Sequence, residues 1–199
     1  MLNHFDVDEK WCAIHATHMS SEETADLARS GAIAGLCPTT EGNLGDGFFN
    51  LNEYVSHNGR WAIGSDSHIS ISPVEELRWL EYGRRLVDRQ RNIMATSSSP
   101  STGTALLDQA LQGGQISSGL KIGKIEPGYR ADFIVLDSEH PRLYGREKEQ
   151  LIDSWIFSGN ENTVQDVYVG GVCVVQDGHH PDEEDIQASY RKTLDELNA

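Results

Sequence analysis

Three short apolar runs, each followed by a helical pattern, occupy the first half of the chain. The runs cover residues 11–14 (WCAI), 32–36 (AIAGL) and 61–63 (WAI). Their residues are continuously apolar rather than alternating with polar ones, which is typical of parallel strands buried on both faces. Strand and helix patterns therefore alternate three times, and this order predicts an α/β fold with a parallel sheet.

Two of the intervening helices carry strong start signals. Residues 20–23 (SSEE) form a capping-box pattern, and the helix that they start is predicted to end at Gly31. Residues 72–75 (SPVE) provide an N-cap serine, a proline at the first helical position and a capping-box glutamate. We expect this second helix to continue to about residue 92. Between these helices, the sequence predicts a glycine-rich loop over 39–50 and a short helix over 51–57.

The second half of the chain has a different pattern. It predicts, in order, a serine-rich loop at 94–104, a helix at 105–111 that stops at Gly113-Gly114, a strand at 131–137, a helix at 151–157, a hairpin at 164–175 that turns at Gly170-Gly171, and an acidic helix from 181. The apolar residues of this last helix recur at a spacing of four.

Length and charge narrow the possible classes of function. The 199 residues can form one sizeable core but are fewer than the roughly 250 of a complete eight-stranded α/β barrel. The net charge of −15 disfavours partners such as nucleic acid and anionic membrane. No apolar run approaches the ~20 residues of a membrane span, and residues 1–15 lack the basic and apolar regions of a signal peptide.

The three cysteines predict a reducing compartment. Cys12, Cys37 and Cys173 are far apart in the sequence, and their odd number makes a poor disulfide framework. None belongs to a C-x-x-C pair. We therefore expect buried thiols in a cytoplasmic protein.

Candidate chemistry follows two of the predicted strands. His15 and His18 come after the first, and Asp66 and His68 come after the third. The carboxyl ends of parallel strands share one edge, where α/β barrels place their active sites. Histidine and aspartate are ordinary ligands of catalytic zinc, which usually has three protein ligands. This pattern permits a metal site, and turn capping by Asp66 remains the simpler alternative.

Several longer strings resemble one family. Residues 11–20 (WCAIHATHMS), 35–47 (GLCPTTEGNLGDG) and 60–83 (RWAIGSDSHISISPVEELRWLEYG) resemble the last barrel strands of the amidohydrolase superfamily, and more closely the formimidoylglutamate deiminase family. Residues 123–137 (GKIEPGYRADFIVLD) and 167–178 (VYVGGVCVVQDG) resemble the β-sandwich that this superfamily builds from both chain ends. The element PG-x-RAD-x-x-VLD in the first of these two strings is common to the superfamily and says little about substrate.

The resemblance implies an architecture. It implies an α/β fold made of the C-terminal part of a TIM-like (β/α)8 barrel, about its last three strand–helix units, and part of the β-sandwich. The implied segments are 1–122 for the barrel, 123–180 for the sandwich and 181–199 for a C-terminal helix.

The resemblance also implies a reaction, a cofactor and partners. The reaction is hydrolysis of N-formimino-L-glutamate to N-formyl-L-glutamate and ammonia, a step of histidine degradation, with one zinc ion in each active site. Asp66 would be the zinc ligand and proton shuttle, and His15 would contact the attacking water and the substrate. His68 and Asn43 are further candidates for substrate binding, although a turn also explains Asn43. The full-length enzyme is expected to be a homodimer.

The implied metal site is incomplete in these residues. The family's H-x-H pair and its further histidine ligand with a nearby glutamate have no counterpart here. We therefore expect the isolated chain to bind zinc poorly and to be inactive. Two alternatives remain: another deaminase of the superfamily, of the guanine or triazine type, or a non-catalytic domain derived from such an enzyme.

Overall fold

The computed structural model describes residues 4–199, so the first three residues of the predicted barrel segment lie outside it. Along the described chain the elements are β1 (Cys12–Ile14), α1 (Ser21–Ser30), β2 (Ile33–Leu36), α2 (Pro38–Leu44), α3 (Leu51–Ser56), β3 (Arg60–Ile63), α4 (Pro73–Asp88), α5 (Thr102–Ser118), β4 (Phe133–Leu136), α6 (Lys148–Phe157), β5 (Val164–Val169), β6 (Val172–Val175) and α7 (Glu183–Leu197).

The first sheet contains the three parallel strands that the apolar runs predict. Its order is β1–β2–β3, with Ile14 opposite Gly35 and Leu36 opposite Ile63. The prediction of burial on both faces is correct for β2, whose four residues are all buried. It is wrong for β1, where Cys12 and Ile14 are exposed, because within residues 4–199 α5 packs against β3, at the opposite edge of the sheet, rather than against β1.

The three cysteine thiols also differ in burial. Cys37 is buried, but Cys12 and Cys173 are exposed, so the prediction of three buried cysteines is wrong for two of them. In the described chain all three are free.

The capping signals correctly predict where two helices begin. At α1, the Ser20 hydroxyl accepts from the Glu23 N–H while the Glu23 carboxylate accepts from the Ser20 N–H, and Gly31 ends the helix at φ 83°. At α4, the Ser72 hydroxyl accepts from the Glu75 N–H. This helix ends at Asp88 rather than near residue 92, because Arg89 adopts a left-handed conformation at φ 54°.

The loop predicted over 39–50 is wrong in its first half, where α2 forms. Pro38 occupies the first helical position, which suits its fixed φ and missing N–H. The Thr39 N–H, free at a helix start, donates to the Glu76 carboxylate at 2.9 Å. This partner lies 37 residues further along the chain, so local sequence does not reveal it.

The predicted stop at Gly113-Gly114 is also wrong, because α5 continues to Ser118. Gly113 lies directly against β3: a Cβ there would meet the carbonyl oxygen of Trp61 at 1.8 Å. Glycine at this position therefore permits close approach of helix and strand rather than ending the helix.

Two buried aromatic residues connect the core to its polar surroundings. The Tyr54 hydroxyl lies 2.8 Å from the Ala32 carbonyl and 3.1 Å from the Arg60 carbonyl, at the starts of β2 and β3. Trp61 is fully buried and donates from Nε1 to Gln109 of α5 at 2.9 Å. These contacts satisfy the polar atoms that the two rings carry into the core.

The second sheet is antiparallel, in the order β4–β5–β6. The predicted hairpin is confirmed, with Gly170 and Gly171 at φ 59° and 83° between β5 and β6. Phe133 and Tyr168 stack across β4 and β5, with ring centroids 4.5 Å apart. The fold therefore combines a parallel and an antiparallel sheet with helices, and in residues 4–199 the parallel sheet is open rather than closed into a barrel.

Among residues 4–199, no helix combines the length and apolar character that crossing a membrane requires.

Candidate active site

The carboxyl ends of β1, β2 and β3 lie at the same edge of the parallel sheet. His15 follows β1 directly, and its backbone N–H donates to the Gly35 carbonyl of β2 at 2.8 Å. Asp66 follows β3 after Gly64, whose N–H donates to the Leu36 carbonyl at 2.9 Å. The sheet thus brings together two loops that are far apart in sequence.

His15 and Asp66 lie close together at this edge. His15 Nε2 is 3.9 Å from the Asp66 Oδ2 atom. The side chains are 32% and 45% exposed, so both reach solvent and are accessible to a small molecule. A base and a carboxylate that share an open edge can hold a water molecule or exchange a proton with a bound substrate.

The backbone at both positions is in the left-handed region. His15 and Ala16 have φ values of 65° and 49°, and Asp66 and His68 have values of 49° and 55°. Such conformations are uncommon for residues other than glycine and concentrate at functional sites. The sharp turns at these positions direct the chain away from the strands and place the side chains at the edge.

The other predicted residues contribute less. His68 is exposed in the loop after Asp66, and His18 is exposed in the segment after β1. Asn43 lies on α2 with an exposed side chain and not in a loop. The structure therefore brings His15 and Asp66 together, while the proposed substrate contacts of His68 and Asn43 stay predictions.

Glu41 also lies at this edge, although no sequence pattern predicts a role for it. Its Oε1 atom lies 3.2 Å from His15 Nδ1 and accepts from the Cys37 N–H at 2.8 Å. The side chain is only 5% exposed. Burial raises the pKa of the Glu41 carboxyl, while the hydrogen bonds from Cys37 and His15 oppose that rise. A glutamate after Pro38-Thr39-Thr40 is a helix-start signal at most, so nothing local indicates its contact with His15.

Glu76, in the first turn of α4, is a second carboxylate near this edge. It is buried, and its two carboxylate oxygens accept from the backbone N–H and the hydroxyl of Thr39 at 2.9 and 2.5 Å. Next to it, the Thr40 hydroxyl donates to the Ser65 carbonyl at 3.0 Å. These contacts join α2 to α4 and to the loop that carries Asp66.

Cys37 is not a nucleophile at this edge. Burial is the main cause that raises the pKa of its thiol to about 11, and the nearby carboxylates of Glu41 and Asp66 add to the rise. A thiol with that pKa stays protonated near neutral pH, whereas thiolate is the reactive form.

The side chains at this edge are of the types that bind zinc, but they are too few to form a complete zinc site. Aspartate oxygen and histidine nitrogen are ordinary zinc ligands. Across residues 4–199, however, no three His, Cys, Asp or Glu side chains form a group that could hold a metal ion. These residues can therefore supply part of a zinc site, with Asp66 as the accessible carboxylate.

Comparison with known proteins places the chain in a family. The amidohydrolase family matches residues 2–174. Formimidoylglutamate deiminase from Pseudomonas aeruginosa is 49% identical over 191 residues, which cover 96% of this chain and 42% of that protein. The resemblance seen in the sequence is thus confirmed.

Solved structures of related proteins share the fold of this chain. The crystal structure of an amidohydrolase from Brucella melitensis superposes with a TM-score of 0.91 at 46% identity, covering 100% of this chain and 43% of that one. An adenosine deaminase from Xanthomonas campestris with bound zinc shares the fold, with a TM-score of 0.81 at 21% identity over 96% of this chain and 43% of that one. The chain spans about two-fifths of the length of each of these relatives. Because the family match extends over most of its residues, the chain belongs to the amidohydrolase family.

Proposed function

We propose that the chain is the C-terminal part of a zinc-dependent deiminase that hydrolyses N-formimino-L-glutamate to N-formyl-L-glutamate and ammonia in histidine degradation. The observation that carries this proposal is the convergence of His15 and Asp66, 3.9 Å apart at the carboxyl edge of the parallel sheet. The similarity to formimidoylglutamate deiminase over nearly the whole chain supports the choice of substrate.

The proposal includes a larger fold. The three parallel strands would be the last three of a (β/α)8 barrel, and the antiparallel sheet would be part of a β-sandwich. Two observations support this: Ile14 of the edge strand β1 is 55% exposed, and Val172 of β6 is 64% exposed. Exposed apolar side chains on sheet strands are surfaces that further strands would cover. The segment boundaries after residues 122 and 180 stay predictions.

Asp66 would have two roles in the reaction. Its exposed carboxylate would be one ligand of zinc, which when bound makes water available as a nucleophile near neutral pH. The same carboxylate would accept a proton from the water that attacks the formimino carbon. It would then return this proton to the formimino nitrogen. As the carbon–nitrogen bond breaks, the added hydroxyl gives up its own proton, so that both protons of the water leave in ammonia and the oxygen stays as the formyl carbonyl.

His15 would stabilise the charge that develops during attack. Its Nε2 atom faces Asp66 and the open edge, and a protonated imidazole can donate a hydrogen bond from this atom to the oxygen added to the formimino carbon. Histidine can carry that proton near neutral pH. His68 and Asn43 are secondary candidates for substrate contact.

A chimeric enzyme tests the proposal. The N-terminal portion of the Pseudomonas aeruginosa deiminase, joined to this chain, should bind zinc and release ammonia from N-formimino-L-glutamate. Asp66→Asn should lower the rate by about 10²–10⁴-fold, the usual contribution of a general acid–base group. It should also lower the zinc content. Asp108→Asn, on the exposed surface of α5, is the matched control and should leave both unchanged.

Each rival has its own outcome. Ammonia release from guanine or an aminotriazine, with none from the formimino substrate, would favour another deaminase of the family. A folded chimera without zinc or activity would favour a non-catalytic domain. For the isolated chain we expect substoichiometric zinc by elemental analysis and no ammonia release, and stoichiometric zinc with turnover would contradict that expectation.

We further propose a cytoplasmic homodimer for the full-length enzyme. The free cysteines of the described chain support the reducing compartment. Analytical ultracentrifugation of the chimera tests the dimer, and a monomer at micromolar concentration would argue against it.

A further inference from the structure

His15 contacts two carboxylates, one through each ring nitrogen. Nδ1 lies 3.2 Å from Glu41 Oε1, and Nε2 lies 3.9 Å from Asp66 Oδ2. The Glu41 side chain is 5% exposed and that of Asp66 is 45% exposed. The buried carboxylate therefore contacts the ring from the protein side, while the accessible one lies on the open edge.

Other contacts fix the position of Glu41. The side-chain atom Oε1 of Glu41 accepts from the backbone N–H of Cys37 at 2.8 Å. The backbone N–H of Glu41 donates to the Cys37 carbonyl at 2.9 Å. Rotating the carboxylate away from His15 would leave the buried Cys37 N–H without this partner, and a buried donor without an acceptor is unfavourable. Glu41 is thus held at its place before any ligand binds.

This geometry selects one tautomer of the histidine. A neutral imidazole has one N–H and one lone pair, and an ionised carboxylate only accepts hydrogen bonds. The contact with Glu41 therefore requires the proton on Nδ1. We propose that Glu41 is a positioning residue that keeps His15 in the Nδ1–H tautomer and directs Nε2 towards Asp66 and the substrate side of the sheet edge.

The catalytic meaning of this contact rests on the proposed function. With Nδ1 bound to Glu41, Nε2 is the ring nitrogen that faces Asp66 and the open edge. Glu41 would then act on the reaction through His15 without touching the substrate, in the way that a buried carboxylate orients the histidine of a catalytic triad.

The tautomer can be measured directly on the 199-residue chain. Long-range ¹H–¹⁵N NMR at about pH 8, where histidine is ordinarily neutral, distinguishes the two nitrogens of each ring. His15 is assigned by the signal lost in His15→Gln. We expect the wild-type ring to be in the Nδ1–H form, Glu41→Gln to give the other tautomer or a mixture, and Glu41→Asp to restore the wild-type form in part.

Glu76→Gln is the matched control. Glu76 is equally buried and also contacts the first turn of α2, but it binds Thr39 instead of His15. This variant should leave the His15 signals unchanged. An Nε2–H ring in the wild type, or identical His15 signals in wild type and a folded Glu41→Gln chain, would overturn the inference. The wild-type spectrum alone decides the matter when Glu41→Gln does not fold.

The two proposals fail separately. The tautomer needs no metal, substrate or turnover, so an inactive chimera with the expected NMR result would count against the deiminase alone. An active chimera whose kcat and pH profile do not change in Glu41→Gln would count against the positioning role alone, since a loss of packing would not shift the pH profile.

Discussion

Replacing Gly113 with alanine tests the contact between α5 and β3. A Cβ at this position would lie 1.8 Å from the Trp61 carbonyl oxygen and 2.4 Å from its carbon, whereas real Cβ contacts essentially never fall below 3.0 Å. Both atoms belong to the backbone of a buried strand, so no side-chain rotation relieves the overlap. The helix must move away by at least 1.2 Å, which is the gap between 1.8 and 3.0 Å.

The magnitude follows from two opposing effects. Overpacking a core costs about 1–3 kcal/mol, and the overlap with backbone favours the upper end of that range. Replacing glycine by alanine inside a helix stabilises the helix by about 1 kcal/mol. We therefore expect Gly113→Ala to lower the free energy of unfolding by about 2 kcal/mol, which lowers Tm by roughly 4–8 °C in a chain of this size.

The neighbouring glycine provides the control. A Cβ at Gly114 would meet no heavy atom within 4 Å, so only helix propensity changes there. Gly114→Ala should raise the free energy of unfolding by about 1 kcal/mol. Urea unfolding of both variants, followed by circular dichroism and by the fluorescence of the chain's tryptophans, gives the comparison. Equal stabilisation by both alanines would refute the close approach of α5 to β3.

Further predictions concern buried polar groups and are all measured by urea unfolding. Glu76→Gln should cost about 1–3 kcal/mol, because an amide NH₂ would then face a donor of Thr39, and a variant as stable as the wild type would contradict that. Burial raises the pKa of the Glu76 and Glu41 carboxyls. Their contribution to stability is therefore complete below the ordinary carboxyl pKa of about 4.3 and is lost as pH rises through the higher folded values. As pH rises above about 4.3, the free energy of unfolding should therefore fall less in Glu76→Gln than in the wild type. If the free energies of the two proteins change in parallel with pH, Glu76 is not a source of this dependence. Tyr54→Phe should cost about 1 kcal/mol through its two carbonyl contacts, whereas Tyr144→Phe, at an exposed position, should cost nothing measurable.

Local signals in the sequence predicted the elements that depend on local contacts. The bounds of α1 follow from a reciprocal bond between Ser20 and Glu23 and from a left-handed Gly31, all within one segment. The turn between β5 and β6 follows from Gly170-Gly171 in the same way. The juxtaposition of His15 and Asp66 was predictable because parallel strands place their ends at a common edge.

The errors concern residues whose partners are distant in sequence. Gly113 appears as a helix stop until the backbone of Trp61 is known to lie against it. Glu41 contacts a histidine 26 residues away, and Glu76 contacts a threonine 37 residues away. Single-sequence patterns describe a residue's neighbours along the chain, and the environment of these carboxylates is set by tertiary packing instead.

The left-handed residues at the sheet edge have a consequence for protein engineering. An L-residue held at positive φ costs of order 1–3 kcal/mol, and glycine avoids that cost. At Ala16, with φ 49°, glycine removes little chemistry, but at His15 and Asp66 it deletes the functional group. A library selected for heat resistance alone would therefore accumulate glycine at all three positions. Such a selection would favour more stable chains that lack the side chains of His15 and Asp66, so every round needs a parallel check that both residues are retained.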